Sequence, residues 1–256
     1  MSTHTGTHLD APIHFGGQDK WSVADIPLKN LINRPLAVID VVDKASHQLD
    51  YLVTVRDLNE WEKINGKILE DSVIIIRTGW SKKWPNKLEY FGTETNDPKQ
   101  AHFPGLHPKA AKWLVEQRQI VGIGIDGPSI DCGQCNDYRS HVILNENNIY
   151  ILENLDQSIF DINPVGATLT VLPMRLSDSS GCPVRPIAQY LHDHQSMNDD
   201  YLTISMLMII LEVFDHQHHH YYDLDYIISS LLLMNLLLNL LIVVVVVLYC
   251  YYHRID

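Results

Sequence analysis

The chain has 256 residues, 46% of them hydrophobic and 20% charged, with a formal net charge of −12 when histidines are neutral. That length can hold one large domain or two small ones without disulfides, and the acidic balance excludes a nucleic-acid partner, because phosphate binding needs clustered Lys and Arg. Four cysteines, Cys132, Cys135, Cys182 and Cys250, are too few and too unevenly placed for a secreted disulfide framework, so a cytoplasmic, reducing compartment is expected for the main body.

The first residues are polar, and no signal peptide is visible among them. They carry the densest chemistry in the chain, His4-Thr5-Gly6-Thr7-His8-Leu9-Asp10-Ala11-Pro12-Ile13-His14. Neutral imidazole and carboxylate are the usual ligands of Zn²⁺ and its first-row neighbours, and three protein ligands with an open position mark a catalytic site. His4 and His8 are four apart, which on a helix would place them on one face. Thr5, Gly6 and Thr7 are poor helix formers, however, and Pro12 pushes the residue before it out of the helical region. An irregular loop shaped by Gly6 suits better, and His8 and Asp10, alternating with period two, point the same way in an extended segment.

Ile26 to Leu31 reads as a short helical turn, and Leu36 to Val42 as a β-branched strand. Asp57, with Glu60 three residues on, has the pattern of an N-cap and capping box for a helix through Trp61. Asp71 to Thr78 is a second buried strand, ending at Gly79-Trp80. A polar loop leads to Phe103-Pro104-Gly105, then to a helix with Pro108 in its first turn and Ala110, Trp113, Leu114 and Val115 as its buried stripe. Ile120 to Ile125 follows as a third strand, so strand, helix and strand alternate as in an α/β layer, with Asp126 at the strand's C-terminal end. Ile149 to Leu152 and Thr168 to Leu172 are further strands.

The pattern H-x-G-T-H-x-D-x-P-x-H, complete at every fixed position, resembles the signature of the cyclase-like metal hydrolases, which include bacterial kynurenine formamidases and isatin hydrolases. The resemblance implies His4, His8 and Asp10 as metal ligands and His14 as the acid/base group. Gly124-Ile125-Asp126-Gly127-Pro128-Ser129-Ile130-Asp131 is similar to the family's G-x-D-T-P-S-x-D segment, with Gly127 where threonine is common. His141 and Glu153, twelve apart, match the histidine and glutamate that complete a second metal position in the formamidase branch, where Asp10 would bridge two ions. The isatin hydrolase branch would manage with one. Trp80 and Phe103 match segments that border the active-site cavity, and so imply an aromatic substrate held between them.

The implied fold is α/β, a swivelling β/β/α arrangement of stacked sheets and flanking helices, in a homo-oligomer. The implied chemistry is hydrolysis of a small aromatic amide at one or two divalent ions, Zn²⁺ or Mn²⁺. An ion lowers the pKa of its bound water, and His14 moves the proton to the leaving nitrogen. N-formylkynurenine is the leading substrate and a cyclic amide such as isatin the next. A metal-binding relative without catalysis, serving as an anchored or scaffolding subunit, is the contrasting reading. No G-x-S-x-G elbow is present to support a serine-hydrolase route.

Cys132-Gly133-Gln134-Cys135 invites a zinc or redox reading, but two further close ligands or a thioredoxin-like context are missing, and the pair is expected to be incidental. The resemblance runs from His4 to about Ala188 and defines a domain over residues 1–190. Relatives carry several tens of residues ahead of the signature, so this chain reads as N-terminally truncated, or as covered by a partner subunit. Residues 191–256 form an atypical tail with a His-rich tract near 216–220 and an apolar segment at 227–248. That segment has the length of a membrane span of about twenty residues. It reads either as a tail anchor or as sequence from a shifted frame.

Overall fold

Val73-Ile74-Ile75-Ile76 presents large apolar side chains in both directions, as a strand covered on both faces must. The computed structural model of the protein, which describes residues 2–95 and 97–190, places this run at the centre of a mixed sheet. The strands are β1 (His8–Asp10), β2 (Arg34–Asp40), β3 (Leu52–Val53), β4 (Val73–Arg77), β5 (Gly105–Leu106), β6 (Gly122–Ile125), β7 (Tyr150–Glu153), β8 (Ala167–Thr170), β9 (Gly181–Pro183) and β10 (Ile187–Tyr190). The helices are α1 (Ile13–Gly16), α2 (Leu28–Leu31), α3 (Val42–His47), α4 (Val55–Asn65), α5 (Lys87–Phe91), α6 (Pro108–Arg118) and α7 (Arg139–Glu146).

Eight strands form one sheet in the order β10-β8-β2-β4-β6-β7-β1-β9, and β3 pairs with β5 in a separate parallel ribbon. The inner four, β2, β4, β6 and β7, are parallel, and both flanks are antiparallel. The expected α/β class is therefore present, with helices packed on a mixed sheet.

Side-chain alternation sorts the core into two layers. Ala37, Ile39, Ile74, Ile76, Ile123, Ile125 and Ile151 pack with Leu58 and Trp61 of α4, Leu114 of α6 and Leu144 of α7. Leu36, Val38, Val73, Ile75, Leu152, Leu169 and Cys182 face the other way, with Leu9. On this second face β6 offers only glycines. A Cβ at Gly122 would lie 2.3 Å from the Tyr150 ring, and one at Gly124 2.9 Å from Leu155. The bare strand makes room for large residues beside it.

Several local readings shift. The strand through Leu36 ends at Asp40, two residues early, because the Asp40 carboxylate accepts from the Val42 backbone N–H and turns the chain into α3. The cap of helix α4 lies three residues before Asp57: Thr54 is the N-cap, and Asp57 is the residue that reaches back, accepting from the Thr54 N–H and hydroxyl, both at 2.7 Å. In α6, Pro108 does occupy the first turn, and Ala110, Ala111 and Leu114 are its buried residues while Trp113 packs at the margin. The Cys132–Cys135 pair is not incidental in structure. A turn closed by the Cys135 N–H on the Cys132 carbonyl brings the Cα atoms to 5.0 Å, and the sulfurs are bonded. Among the described residues no helix is long and apolar enough to cross a membrane, and the segment 227–248 lies outside them.

Candidate metal centre

His8 and Asp10 share one face of β1, as their spacing predicts, and β1 lies between β7 and β9 with His8 opposite Glu153 and Asp10 opposite Gly181. Directly opposed residues share a face, so the register alone places His8, Asp10 and Glu153 together. His4 arrives from the turn before β1, where Gly6 takes φ +61°, a conformation that costs glycine little. His141 comes from α7, a helix that the sequence did not announce, in its first turn.

The ligand atoms converge in two groups of three, His4, His8 and Asp10, and Asp10, His141 and Glu153. Within each group the atoms lie within 4.8 Å of one another. His4 Nδ1 is 2.6 Å from Asp10 Oδ1, and His8 Nε2 is 3.1 Å from the same oxygen. His141 Nε2 is 3.1 Å from Glu153 Oε1 and 3.5 Å from Asp10 Oδ2. Asp10 Oδ2 is buried and has no hydrogen-bond partner, an expensive state for a carboxylate oxygen unless a cation belongs beside it. That orphaned oxygen, in a cluster of two carboxylates and three imidazoles, fits a divalent metal ion.

The electrostatics match. Burial pushes the Asp10 carboxyl up, but the imidazoles of His141, His4 and His8 beside it outweigh that and hold the group well below the ordinary carboxylate range. Burial pushes His141 down, yet Asp10, Asp131 and Glu153 raise it well above an ordinary histidine, and His8 is raised in the same way against its own burial. The carboxylates thus set a field at the cluster that favours positive charge.

His14 stands apart from both groups. It lies on α1, whose Phe15 N–H donates to Asn145 of α7, and the helices touch backbone to backbone at Gly16, where a Cβ would fall 2.6 Å from the Asn145 carbonyl. Its ring stacks on His4 at 4.2 Å. Sequence alone predicts an ordinary histidine pKa near working pH. Instead burial, with the neighbouring His4, His141 and His8 adding to it against Asp10, pushes His14 down to about 4. The imidazole is therefore neutral near pH 7, with a lone pair to offer.

Trp80 and Phe103 part company. Trp80 is buried in the core with Tyr90, Ala101 and Phe103, its indole N–H donating to the Tyr90 carbonyl at 2.7 Å and Lys83 lying over its ring. Phe103 also lines a cavity of about 340 Å³ with Phe91, Pro128, Ser129 and Tyr138, and Trp80 is not among the lining residues. None of the five candidate ligands lines that cavity either; it lies beside the centre, joined to it through Tyr138, whose ring packs 5.3 Å from Phe15 and 6.2 Å from His141. Asp126, at the end of β6, is fully buried and ties down the chain after β4, accepting from the N–H and hydroxyl of both Thr78 and Ser81.

Three residues of the centre have no role in the sequence reading. Ser180 Oγ lies 2.9 Å from His4 Nε2, Gly181 gives the His4 ring its space, and Asp131 holds His141. Asp131 stands in the segment similar to G-x-D-T-P-S-x-D, which could have flagged it. Nothing local marks Ser180.

The chain is similar to proteins of one family. The family profile described as "Putative cyclase" matches residues 1–132. A kynurenine formamidase of Geobacillus thermodenitrificans is 32% identical over 186 residues, covering 72% of this chain and 75% of its own. An isatin hydrolase of Roseibium aggregatum is 27% identical over 195 residues, covering 73% of this chain and 72% of its own. Among solved structures, isatin hydrolase A from Labrenzia aggregata bound to benzyl benzoate superposes with a TM-score of 0.69 at 32% identity, over 75% of each chain.

Proposed function

The chain belongs to the cyclase family, and on that premise we propose that it is a metal-dependent amidohydrolase acting on a small aromatic amide, with N-formylkynurenine the first substrate to test and isatin the second. The observation that carries the reading is the shared Asp10 carboxylate. It faces three imidazoles and ends in a buried oxygen with no hydrogen-bond partner.

His4, His8 and Asp10 would hold one ion, and Asp10, His141 and Glu153 a second, with Asp10 between them. A divalent ion bound there supplies a Lewis acid that polarises the amide carbonyl and acidifies a water. The chain's own part is to fix geometry and move a proton. His8 is oriented by its Nδ1 on the Gly6 carbonyl at 2.9 Å, and the Ile130 N–H donates to Glu153 Oε1 at 2.9 Å. His14, neutral and outside both groups, takes a proton from the attacking water on an imidazole nitrogen and returns it to the departing amine as the C–N bond breaks. Phe15, Tyr138 and Phe103 offer aromatic surface between the centre and the cavity, which suits a flat aromatic substrate.

Purified protein loaded with Zn²⁺ or Mn²⁺ should hydrolyse N-formylkynurenine or isatin, followed by absorbance, and lose that activity on chelation. Absence of turnover of either amide by protein shown to hold metal would count against the reading. Metal analysis of the double variant His141→Ala and Glu153→Ala separates one ion from two.

A further inference from the structure

We infer that Asp131 is the positioning residue that turns Asp10, His141 and Glu153 into an ion site. The inference rests on the proposed metal-dependent reading. Asp131 is 1% exposed, and both of its oxygens are engaged on α7. Oδ1 accepts from the Ser140 N–H at 2.9 Å, while Oδ2 accepts from the His141 N–H at 3.0 Å and lies 2.7 Å from His141 Nδ1.

A carboxylate at Nδ1 keeps the ring proton there and leaves Nε2 as the donor atom for a metal. Nε2 faces Glu153 Oε1 and Asp10 Oδ2. Three acceptor atoms at that spacing repel one another unless a cation, a proton or a metal ion, lies among them. The other two histidines are held differently, His8 by the Gly6 carbonyl and His4 by the Ser180 hydroxyl. Among the described residues only His141 has an anion behind it as well as in front. Asp131 therefore both selects the tautomer and adds a third carboxylate to the field of the second group, which raises its affinity for a divalent cation over that of a neutral support.

The same carboxylate caps α7, so a purely structural role must be separated from positioning. Asp131→Asn does this, because its amide oxygen can still accept from the Ser140 N–H while the negative charge is gone. Metal-stripped protein is titrated with Zn²⁺ by calorimetry, the bound metal is counted by elemental analysis, and the His141 ring is read by ¹⁵N NMR. Wild type should take up two ions. Asp131→Asn should keep the first with unchanged affinity, bind the second about 10 to 100 times more weakly, and lose the Nδ1–H signature of His141, while the one acceptor lost to the His141 N–H lowers its thermal midpoint without unfolding it. Asp131→Glu, which keeps the charge but shifts it by one methylene, should fall between them, and it serves as the test should the Asn variant not fold. Second-ion affinity equal to wild type in both variants overturns the inference while leaving the metal-dependent reading standing. So does a wild type that holds a single ion unaffected by His141→Ala. A wild type that binds no ion removes the metal-dependent reading itself and the inference with it.

Discussion

Gly181→Ala adds one methyl group in β9 and should disable the His4 ligand while leaving the fold in place. The new Cβ would lie 2.5 Å from His4 Cε1, 2.8 Å from Nε2 and 2.9 Å from Nδ1. All three clashes are with a single imidazole at the end of a side chain, and none is with backbone. That imidazole is 24% exposed, so it can swing towards solvent. In doing so it gives up the 2.6 Å contact with Asp10 Oδ1 and the 2.9 Å contact with Ser180 Oγ. One bond to a charged group and one to a neutral group set the folding cost at about 1–3 kcal/mol after solvation of the exposed ring. For a domain of this size that is a fall in thermal midpoint of roughly 2–10 °C.

The functional cost falls on the bound ion. Loss of one ligand from a group of three should weaken the first ion at least as much as loss of a supporting residue does, about 10 to 100-fold, or roughly 1.4–2.8 kcal/mol. Zinc titration and turnover of N-formylkynurenine, measured on Gly181→Ala, His4→Ala and the double variant, check the chain of cause. If the methyl acts through His4, the double variant is no worse than His4→Ala, since each change removes the same contact. Gly181→Ala with wild-type metal affinity and turnover would refute the assignment of His4 as a ligand. Gross unfolding would show that the strand and not the ring gives way.

His14→Ala should abolish amide hydrolysis with bound metal unchanged, as elemental analysis of the variant would report; loss of metal would make His14 a ligand instead. Phe103→Ala should raise KM for an aromatic amide, whereas Trp80→Ala, which empties a core position and orphans the Tyr90 carbonyl, should cost about 3–5 kcal/mol of stability in urea unfolding. The Asp57 carboxyl is pushed up by burial, but Lys44, Thr54 and Tyr51 outweigh that and hold it below its ordinary value. Its contribution is therefore complete above the ordinary carboxylate pKa and is lost as pH falls through the lowered folded value. Asp57→Asn should cost about 1–2 kcal/mol at pH 7 and flatten the acid limb of the stability profile, and an unchanged acid limb would sink the assignment.

The inner strands were legible because burial on both faces leaves its mark in the run itself, as in Val73-Ile74-Ile75-Ile76. Of the flanking strands, β8 was legible as Thr168 to Leu172 and β1 through the alternation of His8 and Asp10, but β9 and β10 were not. β9 and β10 have three or four residues each, too few for a period to register, and they exist because neighbours offer them a ladder. Helix α7 was missed for a related reason. Its sequence Arg139-Ser140-His141-Val142-Ile143-Leu144-Asn145-Glu146 carries no cap of its own, and its first turn is satisfied by Asp131 from the preceding loop. Asp57 was recognised as part of a capping box but put at the wrong end of it, because Thr54, three residues earlier, is the true cap.

The same distinction governs the candidate centre. His4, His8 and Asp10 could be read together because they are close in sequence, but the residues that hold them are not. Ser180 is 176 positions from His4. What joins the distant parts is strand register, and an apolar layer sets it. Leu9 lies between His8 and Asp10, opposite Leu152 on one side and Cys182 on the other, all three fully buried in the second core layer. A slip of one residue would turn Leu9 out of that layer and drive His8 or Asp10 into it. Burying a Leu contributes about 1.5–3 kcal/mol, and an unpaired buried charge costs several kcal/mol more. The slipped pairing is therefore closed, and His8 is left facing Glu153 beside α7. The apolar triplet of Leu9, Leu152 and Cys182 binds nothing, yet it brings a carboxylate 143 positions from Asp10 into the same candidate cluster.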